Sequence, residues 1–119
     1  MSSILVFHTN ESTRDALRDI LANRYNVIAV HDARQCLDVF EQKAPVALAF
    51  LEASSEVETE TLIAKALEKK NPVIVVAVAS AENENFGVNA VRCGAEGYIL
   101  TPLRKDEILA IARKADPDS

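Results

Sequence analysis

Five short runs that are apolar on both faces, each followed by a stretch of helical period, leave this chain few folds to adopt. The runs cover residues 4–7, 27–30, 46–51, 73–78 and 98–100. They are rich in Val, Ile and Ala and lack polar alternation, which suits parallel strands buried on both sides rather than half-exposed antiparallel ones. Between them, Ala16, Leu17, Ile20 and Leu21 form one helical stripe, and Ala33, Leu37, Phe40 and Ala44 form a second. A third helix is predicted over 57–70 with Leu62, Ile63, Ala66 and Leu67 inward, a fourth over 83–93 and a fifth over 105–115.

Stop and start signals agree with this division. Ser12 or Asn10 can cap the first helix, and Asp32 the second. Pro45 and Pro72 lie just ahead of two strands, and Gly94 follows the fourth helix where a left-handed cap belongs. Five alternating βα units require right-handed crossovers that cover both faces of a parallel sheet. The expected architecture is a doubly wound α/β sandwich of flavodoxin-like type, strand order 2-1-3-4-5, over residues 1–115. Residues 116–119, polar and holding a proline, read as a linker or tail of a module within something longer.

In such a fold, chemistry sits at the carboxyl ends of the central strands, so the residues there carry the functional question. The segment ILVFHTNESTRDAL, the run KAPVALAFLE, the run NPVIVVAVAS and the segment VRCGAEGYILTPL resemble, in order and spacing, the receiver domain of two-component response regulators. The resemblance covers nearly the whole chain and keeps Arg14, Leu17, Gly94, Tyr98 and Pro102. It also implies a cis peptide bond between Thr101 and Pro102.

Against that family pattern the phosphorylation site is blank. His8 and Thr9 stand where an acidic pair would hold Mg²⁺, Leu51 where the phosphoacceptor aspartate belongs, Ala77 at the switch hydroxyl, and Thr101 at the lysine. An imidazole and a hydroxyl bring no negative charge to a hard dication, and leucine has no nucleophilic atom. Glu52 lies one place beyond the acceptor position and is expected to face solvent or a helix, because a one-residue step turns a strand side chain to the opposite face. With Ala77 small, Tyr98 is expected to sit inward over it.

The resemblance therefore implies a degenerate receiver, a phosphorylation-independent signalling module with no cofactor, no metal and no enzymatic activity. It acts on a protein partner or an output domain, as the regulatory domain of a larger transcriptional regulator. The expected interaction face is the fourth helix, fifth strand and fifth helix, with Phe86, Asn89, Arg92, Tyr98, Arg104, Lys105 and Ile108, including a homodimer through that face. The alternative is a small-molecule, nucleotide or flavin sensor. The hydroxyl-rich loop of Thr9, Asn10, Ser12 and Thr13 is similar to a flavodoxin phosphate loop, but it has no glycine to wrap a phosphate. An enzyme built on His8 with Glu52 or Glu11 lacks an activated nucleophile.

Bulk properties narrow the classes further. A net charge of -5 from scattered acids and bases offers no basic block, which argues against direct nucleic-acid binding. The opening MSSILVFHTN is too short in apolar residues for a signal core or a membrane span, so a soluble, cytoplasmic protein is expected. Cys36 and Cys93 lack metal-ligand spacing and are expected in or near the core. Glu56, Glu58 and Glu60 suit the first turn of a helix and need no cation.

Overall fold

The computed structural model describes residues 2–42, 45–71 and 73–115. Ala44 of the second stripe, Pro72 and the tail at 116–119 lie outside the described residues.

The strands are β1 (Ser3–Phe7), β2 (Asn26–Val30), β3 (Val46–Glu52), β4 (Ile74–Ser80) and β5 (Gly97–Thr101). The helices are α1 (Glu11–Leu21), α2 (Ala33–Glu41), α3 (Thr59–Leu67), α4 (Glu84–Arg92) and α5 (Lys105–Ala115). All neighbouring strands pair in parallel, in the order β2-β1-β3-β4-β5. The predicted doubly wound, flavodoxin-like sandwich is the fold observed.

Side-chain alternation along the strands splits the core into two layers. Leu5, Phe7, Ala49, Leu51, Val75 and Ala77 meet Cys36, Val39 and Phe40 of α2, Leu62, Ile63 and Ala66 of α3, and Ala90 of α4. Ile4, Val6, Leu48, Phe50, Val76, Val78 and Ile99 meet Leu17 and Leu21 of α1 and Ile108 and Ala112 of α5. Two apolar layers explain why the strands show no polar face.

Local signals place the helices. Asn10 caps α1, its side chain accepting the Thr13 N–H at 2.9 Å, and Asp32 caps α2 by accepting from Gln35 at 2.8 Å. Ser80 caps the short 3₁₀ turn Ala81–Asn83, which joins β4 to α4. Gly94 has φ 120°, and a side chain there would put its Cβ 2.6 Å from Leu67 Cδ1, so both conformation and space require glycine.

Several boundaries differ from the pattern-based ones. α3 is shorter at both ends than predicted, β3 runs one residue further to Glu52, and β4 runs on to Ser80. Ala33 of the second stripe is exposed. Cys36 is buried, and burial pushes its thiol up to about 12, whereas Cys93 is exposed at the helix end and is not a core thiol. No helix among the described residues is long and apolar enough to cross a membrane.

Candidate functional site

The pairing register puts Val30, Phe7, Leu51, Ala77 and Tyr98 in one row across the sheet. Leu51 and Ala77 are therefore interior positions, each fully buried, and not the outermost residues of their strands. The carboxyl edge is formed instead by His8 and Thr9 after β1, Glu52 on β3, and the paired Ser80 and Thr101 on β4 and β5.

Glu52 is the centre of this edge: its side chain turns to the face opposite Leu51, as alternation predicts, but it is bonded to the loop after β1 rather than open to solvent. It is 5% exposed. Oε1 accepts the Thr9 backbone N–H at 2.8 Å and the Thr9 hydroxyl at 2.7 Å, while Oε2 accepts the Ser54 hydroxyl at 2.6 Å. The alternation rule itself holds, since Leu48, Phe50 and Glu52 share the face covered by α1. The chain leaving β1 crosses onto that same face to start α1, and so brings Thr9 over the carboxylate.

His8 stands beside this pair. Its Nδ1 lies 3.4 Å from Glu52 Oε1 and accepts the Asn10 N–H at 3.1 Å. An acceptor nitrogen carries no proton, so the contact is between two lone-pair atoms and not an ion pair. Burial, and secondarily the Arg14 charge, hold His8 below its ordinary 6.5 against the opposing pull of Glu52. Arg14 donates from Nη1 to the His8 carbonyl at 2.9 Å, which gives the kept arginine a structural task.

Burial alone would raise the Glu52 carboxyl, but the bonds from Ser54 and Thr9 outweigh it and leave the group below the usual carboxylate range. Glu52 is thus an ionised, buried carboxylate satisfied by uncharged donors of its own chain. These residues do not fit Mg²⁺, which takes several oxygen ligands and most of the negative charge in its site. Both oxygens of the single acid are engaged, and the neighbouring groups are a neutral imidazole and a guanidinium. No cluster of three His, Cys, Asp or Glu side chains able to hold a metal occurs among the described residues.

Tyr98 is half-buried rather than enclosed over Ala77 as expected. Its ring lies against Gly87 of α4, where an added Cβ would meet Cδ2 at 2.6 Å, and its hydroxyl donates to Glu84 at an exposed site. The bond to Glu84 holds the phenol above its ordinary value. The Thr101–Pro102 bond is cis.

The expected interaction face divides. Asn89, Arg92, Arg104 and Lys105 are exposed, and Arg104 reaches Asp106 at 3.3 Å. Ile108 is not on that face: it is fully buried against α1 and the sheet, because the inward stripe of α5 runs through it and Ala112. Phe86 and Asn89 instead line a groove of ≈ 520 Å³ between the start of α3 and α4. Two apolar residues escaped notice in the sequence, Val88 at 37% and Val91 at 41% exposure on α4. Their signal was present in the spacing, since Gly87 and Ala90 already fill the inward positions of that helix.

No family model matches the chain, and no curated protein matches it. Solved structures do. The receiver domain of NtrX from Brucella abortus aligns at a TM-score of 0.83 and 26% identity, over 95% of this chain and 97% of that one. NtrX from Brucella abortus in complex with ADP aligns at 0.83 and 26% identity over 97% of this chain, which spans only 27% of the NtrX chain. A CheY-like response regulator receiver domain from Methanospirillum hungatei aligns at 0.77 and 26% identity, over 98% and 94%. The fold of this chain is that of response-regulator receiver domains.

Proposed function

We propose that this chain is a receiver-type signalling module that works by protein–protein contact, without phosphoryl transfer and without enzymatic activity, as the cytoplasmic regulatory domain of a larger response regulator. The observation that carries this reading is the state of the strand ends. The acceptor row is buried hydrocarbon at Leu51 and Ala77, and the one carboxylate, Glu52, is consumed by internal hydrogen bonds. A phosphoryl group would meet no free nucleophile, no free acid pair and no lysine there.

The contact surface centres on α4 and β5. Glu84 and Gly87 of α4 meet Tyr98, and Val88 and Val91 of the same helix present exposed apolar area. An exposed aliphatic pair next to an aromatic and an arginine has the composition of a contact centre. An output domain beyond Ser119 or a second copy of the chain is the partner this surface suits.

Sedimentation of the chain against a Val91→Asp variant tests the surface. Val91 is exposed, so the substitution leaves the fold intact. Self-association that is present in the wild type and absent in the variant is the expected result, whereas equal association of both contradicts this face.

A further inference from the structure

Glu52 does more than fill the strand ends, because its side chain and main chain face two different parts of the molecule. The carboxylate holds Thr9, 43 residues away in sequence, through two bonds, and it holds Ser54 through a third. The Ser54 oxygen in turn accepts the Glu56 N–H at 3.2 Å. The Glu52 carbonyl accepts the hydroxyl of Thr59, the buried first residue of α3, at 3.0 Å. α3 has no side-chain cap from Glu58, so the bond through Thr59 is what ties its start to the sheet.

We propose that Glu52 is an intramolecular latch that couples the β1–α1 loop to the start of α3, and through it to the groove between α3 and α4. Residues 54–61 wall one side of that groove, with Phe86, Asn89 and Ala90 on the other. With the latch closed, Ser54 and through it the Glu56 N–H are fixed just ahead of Thr59, and the groove keeps one shape. With it open, the wall loses the charge-assisted bond at Ser54, and such bonds are the strong ones in a half-buried site. Coupling of this kind is reciprocal: whatever occupies the groove strengthens or weakens the hold on Thr9 by the same factor. The latch is independent of contact at Val88 and Val91, and stands or falls apart from it.

Amide hydrogen exchange on the full chain tests the latch with three variants. Glu52→Gln keeps the side-chain shape and one acceptor oxygen but removes the charge. Thr9→Val removes the hydroxyl from the other end, and Thr9→Ser restores it. In both Glu52→Gln and Thr9→Val, exchange at Thr59 and Leu62 is expected to quicken about tenfold, the factor that corresponds to one lost charge-assisted bond. The sheet amides of Val76 and Ile99 stay at wild-type rates, and Thr9→Ser matches the wild type. An effect in Glu52→Gln without one in Thr9→Val would overturn the coupling. So would unchanged exchange at Thr59 and Leu62, or a uniform rise across the sheet.

Discussion

Leu51→Asp, the substitution that writes an aspartate into the acceptor position, is expected to destabilise the domain by ~3–8 kcal/mol rather than to create a phosphorylation site. Leu51 is fully buried, with Phe7 and Ala77 as its neighbours in the row and Leu62, Ile63 and Ala66 in the layer it packs into. A carboxylate there has no cation beside it, and the next residue is the ionised Glu52. Two effects add: loss of the packed leucine, worth ~2–5 kcal/mol when cut to alanine, and burial of an unpaired acid. Urea unfolding of Leu51→Asp beside Leu51→Ala separates them. Burial raises the pKa of the new acid above its unfolded value, so the aspartate variant should regain stability relative to the alanine variant as the pH falls through that raised pKa towards the unfolded one. An aspartate variant as stable as the wild type that takes up phosphate from acetyl phosphate with Mg²⁺ would contradict the burial argument.

Acid is expected to destabilise the wild-type chain in two steps, both traceable to the Glu52 site. His8 titrates below its ordinary 6.5 in the folded chain, so between that value and its lowered pKa the unfolded chain takes up a proton that the native chain refuses. Stability present above about 6.5 is thus lost as the pH falls through that window. Glu52 is likewise lowered from 4.5, and its contribution is lost at still lower pH, as the carboxyl is protonated and its three acceptor bonds weaken. The two changes have the same sign. Thermal unfolding across the pH range should show the upper step vanish in His8→Gln and the lower one in Glu52→Gln. An acid profile unchanged in both variants would place the sensitivity elsewhere.

Most of the fold was legible because both layers of the core are written into the strands. A run such as residues 74–79, apolar at every position, has no face to give to water, and the helical stripes supply the covers. Strand ends were less legible. Ser80 continues β4 because Thr101 of β5 pairs with it, a tertiary fact with no local sign. Glu52 shows the same limit. Alternation correctly sent its side chain to the face opposite Leu51, but only the path of the chain after β1 reveals that Thr9 waits on that face. The hydroxyl of Ser54, two residues on, was the available hint that the carboxylate is satisfied internally. Ile108 follows a charged first turn, from Arg104 to Glu107, but the stripe of α5 turns inward at that residue.

In the proposed function, the strand ends bind their own carboxylate in place of a metal and a phosphoryl group. Two-dimensional amide NMR of the uniformly labelled chain, titrated with Mg²⁺ and beryllofluoride, measures this directly. Unchanged resonances at His8, Thr9, Leu51, Glu52, Ser80 and Thr101 are the predicted result. Saturable, Mg²⁺-dependent shifts at those residues, spreading to Tyr98 and α4, would contradict it.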